Sequence, residues 1–379
     1  MPPAVETESA DARAAAGSPD HDAPAADPGL FRAGDHLPHR VLRLPGGVSL
    51  LVHRRTAVVC LVLVCVTAAA AVAELLTGTF VLSWSSAMDG LWRRDDGLAT
   101  TVVWGIRLPR LLTGLFAGMA LGASGALFQS MARNPLGSPE VVGLVSGAAF
   151  AAVVGIVVFG TTRETTALLA MVGAGAAASA SYGLSRQHGV SNGHRLILIG
   201  IGISAGLQAA TTVVLTQPHP DIAIAGQIWL VGSLSARTWT EVAAVGGAVV
   251  VLLPTALLAS RGMNALELGE TLARQLGARP ERSRLVMTGC GIGLVGASVA
   301  AAGPIGFVAL AAPHLTRRLT GSPSIPLLGS ALMGASLLLL ADALGQNLPM
   351  SVRPPVAVVT GVLGGTYLLW MLLTRKGRR

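Results

Sequence analysis

Charge is what this chain has least of. Asp, Glu, Lys and Arg make up 12% of its 379 residues, about half the ~25% of an average soluble domain. A soluble globule of that length must cover its surface with charge, so that class is excluded. Lysine occurs only at Lys376, so there is no G-x-x-x-x-G-K-[ST] loop to cradle nucleotide phosphates, and no H-E-x-x-H zinc helix is present either. Cys60, Cys65 and Cys290 lie in apolar runs, form no C-x-x-C pair and are odd in number, which excludes a disulfide framework and a thiolate zinc site. Present in their place are 52% hydrophobic residues, a further 47 glycines and a mean hydropathy of +0.63. Disorder and collagen are excluded as well, and the composition is that of an integral membrane protein.

The formal net charge of +8 would suggest nucleic acid in a soluble chain. Here most arginines fall between hydrophobic runs, where they set topology. Residues 1–40 are rich in Ala, Pro, Asp and Ser and are predicted to be disordered, because they cannot bury enough surface to offset their ordering entropy. The first apolar run comes too late for a secretory signal. Residues 41–55, within HRVLRLPGGVSLLVHRR, are basic and mildly amphipathic and are assigned to the cytoplasmic membrane surface. The transmembrane domain is placed at residues 56–376.

A hydrocarbon core of ~30 Å takes about 20 apolar residues per helix. That ruler places spans near 56–76, 108–131, 139–159, 166–184, 195–216, 239–260, 284–302, 305–319, 327–345 and 355–374, the eighth being short. With the N-terminus inside, the cytoplasmic connections carry Arg133, Arg186, Arg195, the arginines from Arg261 to Arg284, Arg317, Arg318 and the basic tail. The outer side receives Arg93, Arg94, Arg107, Arg110, Arg163, Arg237 and Arg353, several beside Asp95, Asp96, Glu164 and Glu241. This bias puts both termini in the cytoplasm.

One connection differs from the rest. Residues 261–284, RGMNALELGETLARQLGARPERSR, are too polar to span and too regular for a tight turn. Leu266, Leu268, Leu272 and Leu276, with Ala265 and Ala273, recur at near-helical spacing until Pro280, which predicts one or two short cytoplasmic helices with an apolar stripe. A protein partner suits the stripe better than lipid, since Glu267 and Glu270 flank it and anionic headgroups would repel them.

Gly114, Gly118, Gly122 and Gly125 form a small-xxx-small ladder in the second span, and Gly289, Gly291, Gly293, Gly296 and Ala300 suggest another packed face. Polar residues near the spans are few: Gln129, Asn134, Gln208, His314, Asp342 and Gln346. Asp342 sits near an outer helix end, where pairing is a better account than proton relay. Such scarcity of buried carboxylates argues against a carrier driven by an ion gradient. Gly122-Ala123-Ser124-Gly125 matches the G-x-S-G string of rhomboid-type intramembrane proteases, but that chemistry needs a base in reach of the serine, and His314 is at the wrong depth.

Several strings in sequence order share one family's pattern: RLPR (Arg107 to Arg110), GALFQ (Gly125 to Gln129), RNPLGSP (Arg133 to Pro139), GLVSGA (Gly143 to Ala148), NALELG (Asn264 to Gly269), ARQLG (Ala273 to Gly277), GPIGFV (Gly303 to Val308), APHLTR (Ala312 to Arg317) and PVAVVTG (Pro355 to Gly361). Across roughly residues 50–376 the chain resembles the FecCD-type permeases, membrane subunits of ATP-binding-cassette importers for iron–siderophores, haem and vitamin B12. RNPLGSPE and QIWLVGSLSARTW are most similar to the ferric-enterobactin type.

The resemblance implies an all-α polytopic bundle of about ten transmembrane helices, the type II importer fold of the vitamin B12 system. It also implies a second permease (a heterodimer in the enterobactin type, with a homodimer as the other option), an ATPase dimer beneath and an extracytoplasmic siderophore-binding protein. ATP and Mg would be used by the ATPase, with no cofactor or metal bound by this chain and no enzymatic activity of its own. Arg107 and Arg110 match the motif that docks the binding protein. Asn264, Leu266, Leu268, Gly269, Leu272, Ala273, Leu276 and Gly277 match the segment that seats in the ATPase. Gln346 stands where relatives often carry Arg, and Arg353 where Glu is common.

Overall fold

The computed structural model describes residues 39–375 except 45–47, 79–82, 93–96, 133, 135–136, 141, 188–189, 192, 217–219, 268–274, 276–279, 323–325 and 350–352. Residues 1–38, expected to be disordered, lie outside the described residues, as does the basic tail from Lys376. The chain divides between His53 and Arg54 into two compact units.

The first unit holds an antiparallel hairpin, β1 (His39–Leu44) with β2 (Val48–His53), in register from His39 opposite His53 to Leu44 opposite Val48. The basic segment assigned to the membrane surface is therefore a ladder. Its alternating apolar residues on either side of Pro45-Gly46-Gly47 carry that signal.

The second unit is helical: α1 (Arg54–Leu76), α2 (Trp84–Trp92), α3 (Leu98–Val102), a π turn (Val103–Arg107), α4 (Leu108–Ala132), α5 (Leu144–Phe159) and α6 (Arg163–Ser185). A two-residue ladder, β3 (Arg186–Gln187) with β4 (Val190–Ser191), joins α6 to α7 (Gly193–Leu215). There follow α8 (Pro220–Leu230), α9 (Trp239–Glu267), α10 (Pro280–Ala302), α11 (Val308–Thr320), α12 (Leu327–Asn347) and α13 (Val356–Arg375).

Each expected span coincides with one helix, but length sorts them. Among the described residues seven helices are long and apolar enough to cross a membrane, and Leu144–Phe159 and Val356–Met371 are shorter apolar helices. At 13 residues α11 rises only ~20 Å. The third span begins later than its apolar run, because Gly143 at φ +90° turns the chain into α5 at Leu144.

α4 is the central helix, packed by α12, α10, α11 and α9. Leu121 and Leu127 of α4 share a core with Val245 of α9, Leu294 of α10 and Leu338 of α12. A second core, Leu144, Ala148, Ala170, Ala174 and Val295, joins α5, α6 and α10 around Phe128. The glycine ladder makes these close approaches possible. A Cβ on Gly118 would lie 2.6 Å from the Gly334 carbonyl oxygen, and one on Gly122 or Gly125 would overlap the carbonyl of Ser330 or Ala309. Toward the start of α4, a Cβ on Gly114 would press on Leu234 and Leu339 at 3.0 Å each.

The glycines of α10 form no single seam. Gly291 faces Phe128, Gly293 faces Leu252, and Gly289 has open space beside it. Residues two apart point to opposite sides of a helix, which the spacing 289, 291, 293 already encodes.

Candidate translocation and coupling site

At the start of α4, on the side that the sequence assigns to the exterior, the π turn follows from Pro109. Having no N–H, Pro109 leaves the carbonyl four residues back unpaired, and the Leu108 N–H reaches Val103, one residue further than in an α-helix. The turn presents both candidate docking arginines to acceptors within the chain. Arg107, 7% exposed, donates from Nη1 to the Leu75 carbonyl at the end of α1. Arg110 forms a bidentate pair with Asp342 of α12, Nε to Oδ2 and Nη2 to Oδ1, both 2.7 Å. The Asp342 side chain is 3% exposed and that of Arg110 23%. Gln346 donates to the same Asp342 Oδ2 at 2.9 Å, one helical turn on. The departure to Gln thus adds a neutral donor to an aspartate that Arg110 already neutralises. Pairing of Asp342, expected from its place near the helix end, is what the geometry shows. Glu74 of α1, 4% exposed, stands near this pair, attracted by Arg110 and repelled by Asp342.

A second network fixes the loop between α8 and α9. Arg163 donates from Nη1 to the Ala236 carbonyl at 2.6 Å and to Glu241 Oε1 at 3.4 Å. Glu241 Oε2 accepts the Thr238 N–H at 2.8 Å and its hydroxyl. Arg237 folds back on the Ser233 carbonyl through Nε and Nη2, at 3.0 and 2.7 Å. Burial lowers the Arg237 pKa to about 10 against the attraction of Glu241, which leaves the guanidinium charged at neutral pH. Ala236 is held at φ +54° within this network. Close by, Trp239 stacks on Trp104 at 5.8 Å between ring centroids and donates to the Trp104 carbonyl at 3.0 Å.

Two interruptions of helix meet inside the bundle. After α8 the chain turns at Gly232 (φ +63°), and after α10 it turns at Gly303 (φ +76°). The Ser233 N–H donates to the Ala302 carbonyl at 2.8 Å. A Cβ on Gly303 would lie 2.9 Å from the Gly232 Cα, and one on Gly232 would overlap the Pro304 carbonyl. Irregular backbone at membrane depth persists only when protein or a water-filled path surrounds it. These turns satisfy one another.

α7 packs mainly on α5 and α6. Its exposed side carries Gly202, Ala205, Gly206, Gln208, Ala209 and Thr212, with open space beside both glycines, interleaved with exposed Leu198, Ile201 and Val213. Lipid-facing helix surface is normally Leu, Ile, Val and Phe. The small and polar residues on the exposed side of α7 suit close contact with another helix or water, and the three aliphatic ones suit either helix or lipid.

The RNPLGSPE loop and the GPIGFV turn are joined directly. The Phe307 N–H, just ahead of α11, donates to Glu140 Oε1 at 3.1 Å. Burial raises the Glu140 carboxyl above its ordinary value, with the Phe307 N–H pulling it back part of the way. Phe307, at φ +72° and ψ −38°, is the centre of a tight turn that the Val308 N–H closes on the Gly306 carbonyl at 2.9 Å, a positive-φ backbone that a bulky residue adopts at a cost of about 1–3 kcal/mol. Nearby, Gln129 Nε2 donates to the Leu310 carbonyl at 3.0 Å. Tyr367 of α13 meets the rings of Phe307 and His314 edge-on at 5.9 and 6.0 Å. Arg318 lies over Trp370 at 4.7 Å. The role of Glu140 had a sequence signal, an acidic residue closing a motif loop, but its partner lies 167 residues away.

Asn264 and Leu266 fall in the last turn of α9, which runs to Glu267, well past the apolar span. Leu268, Gly269, Leu272, Ala273, Leu276 and Gly277 lie outside the described residues. No cluster of three or more metal-binding side chains occurs among the described residues. Ser124 is fully buried and its hydroxyl donates to the Gly291 carbonyl at 3.0 Å. A nucleophile would need that proton taken by a base, so the string Gly122 to Gly125 is helix packing.

A bundle of long apolar helices with interlocked turns and no hydrolytic centre among its described residues defines a multi-pass membrane protein of transporter type. The sequence profile of the FecCD transport family matches residues 59–374, and the chain belongs to that family. It is 40% identical over 328 residues to the ferric enterobactin transport system permease protein FepG of Escherichia coli (strain K12), covering 86% of this chain and 99% of that one. The hemin transport system permease protein HmuU of Yersinia pestis is 36% identical over 297 residues, 76% of this chain and 88% of its own. Among solved structures, a transporter described as of the metal-chelate ABC type, in an inward-facing conformation, superposes with a TM-score of 0.71 at 27% identity, covering 85% of this chain and 99% of that chain. The chain is therefore a non-catalytic permease subunit of an ABC transporter, with ATP hydrolysis belonging to a separate subunit. Family membership sets aside the gradient-driven carrier and the protease.

Proposed function

We propose that this chain carries a ferric siderophore of the enterobactin type inward across the cytoplasmic membrane, through about ten transmembrane helices with both termini in the cytoplasm. The observation that carries the substrate assignment is the 40% identity to an enterobactin permease along 99% of that relative's length. A second permease, different from this chain, pairs with it. An ATPase dimer using ATP and Mg works from below, and an extracytoplasmic binding protein delivers cargo. The small and polar stripe of α7 supports a place for that helix on the wall of the path between the two permeases. Residues 264–277, from Asn264 to Gly277, seat in the ATPase. Arg107 and Arg110 belong to the rim on which the binding protein docks. With their acceptors inside the chain, they shape that rim as well as offering it charge.

Cells lacking the chain are expected to lose uptake of radiolabelled ferric enterobactin and to regain it on complementation. Restored uptake of ferric citrate or haem, with none of ferric enterobactin, would overturn the substrate and leave the permease class standing. Replacing Leu268 and Leu272 with Asp is expected to abolish uptake while insertion and ATPase abundance persist. Unchanged uptake would contradict the coupling assignment.

A further inference from the structure

Phe307 is pinned on three sides. Its N–H is held by Glu140 at 3.1 Å. Its carbonyl accepts from the N–H groups of Leu310 and Ala311, at 3.0 and 2.9 Å, and so begins α11. Its ring lies where Gly364 of α13 has no side chain, and a Cβ there would overlap it. The left-handed backbone at φ +72° aims the ring into that notch. A phenylalanine has no intrinsic preference for this conformation, so the surroundings must enforce it. The Val308 N–H closes the turn locally on the Gly306 carbonyl at 2.9 Å and Tyr367 of α13 meets the ring edge-on, while the Glu140 carboxylate from the α4–α5 loop is the acceptor of the Phe307 N–H.

We propose that Glu140 is a positioning residue, a latch that holds Phe307 in its left-handed conformation and thereby ties the inner α4–α5 loop to α13 through the ring in the Gly364 notch. α4 grips the same turn a second time, through Gln129 on the Leu310 carbonyl. Movement of the loop is therefore passed to the start of α11 and to α13 together. With the latch removed, only the Val308 N–H on the Gly306 carbonyl, at 2.9 Å, and the ring packing hold the turn, and the ring leaves the notch more readily. The transport consequence rests on the ATP-driven import proposed above.

The latch is tested first without substrate, by hydrogen exchange on the full-length chain in lipid nanodiscs. In Glu140→Ala the Phe307 amide is expected to exchange at least about tenfold faster, the factor that loss of one hydrogen bond to a charged group corresponds to. Glu140→Gln keeps an acceptor oxygen and is expected to restore protection. Equal exchange in wild type and Glu140→Ala, or a Gln variant as unprotected as the Ala variant, would overturn the latch. In proteoliposomes holding the whole transporter, ferric enterobactin delivered per ATP hydrolysed is expected to fall about tenfold in Glu140→Ala and to recover in Glu140→Gln. Gly364→Ala, which fills the notch from the other side, is expected to reproduce the fall and keeps the test open if Glu140→Ala assembles poorly. An unchanged ratio in Gly364→Ala would overturn the tie to α13. Absence of ATP-driven uptake by the wild-type complex would instead sink the functional reading, leaving the exchange result to stand on its own.

Discussion

Arg110 and Asp342 show what a single pair of side chains settles at the outer rim. A bidentate guanidinium–carboxylate pair is strong because both hydrogen bonds are charge-assisted and share one plane. Breaking it from one side leaves a charge without its partner in a site with little water. Asp342→Asn is therefore expected to destabilise the folded chain by about 2–3 kcal/mol, below the full cost of a buried pair because Arg110 is partly exposed. Denaturation in lipid nanodiscs would measure it, and a change under about 0.5 kcal/mol would show that water already serves Arg110. Glu140 gives a pH-dependent counterpart. Because burial raises its pKa, the folded chain holds that proton more tightly than the unfolded chain. Its contribution is complete below the ordinary carboxylate value and is lost as pH rises through the folded one. Glu140→Gln is expected to flatten the stability profile over that window, from about pH 4 upward. A profile identical to wild type would mean that Glu140 titrates as an exposed carboxylate does.

Helices were the most legible layer of this chain, and the reason is physical. A membrane demands about 20 apolar residues wherever a helix crosses, so the spans announce themselves by length and composition. What composition cannot announce is irregular backbone. The π turn before Pro109, the end of α8 at Leu230 and the start of α11 at Val308 all sit in sequence as apolar as their surroundings. Their causes are a missing N–H, or glycines held at positive φ by partners far along the chain. The partners of the arginines were not legible: Arg163 and Glu241 lie in connections that the sequence assigns to one side, whereas Arg110 with Asp342 spans 232 residues. For the glycine ladder the prediction belongs to the helix pair. Gly122→Val is expected to force α4 from α12 and cost about 1–3 kcal/mol by overpacking. Gly175→Ala, beside open space in α6, is expected to be neutral or mildly stabilising, since Ala is the better helix former. Folded yield in nanodiscs compares the two, and equal yields would show that the α4–α12 seam can open without loss.

At the scale of the whole molecule, the question is how a bundle with no nucleotide pocket of its own is driven. Force has to enter where an element leaves the membrane and reaches a partner, and the proposed place is the end of α9, which continues to Glu267 beyond its apolar stretch. The leucine-bearing residues that follow can meet an ATPase only from the cytoplasm, so topology is the premise beneath every functional statement about this chain. Single cysteines introduced into a chain cleared of Cys60, Cys65 and Cys290 test it. Gln275 and Thr162 are both exposed. Gln275→Cys is expected to react with a membrane-impermeant thiol reagent in inside-out vesicles and to be protected in intact cells, while Thr162→Cys shows the opposite pattern. The arginine bias predicts that result, and the two labels must report opposite sides because the connections at residues 162 and 275 cannot exchange sides without dragging the connecting helices with them. Labelling of Gln275→Cys from outside intact cells would invert the bundle, place the leucine-bearing segment beyond the reach of any ATPase and leave the coupling proposal without a mechanism.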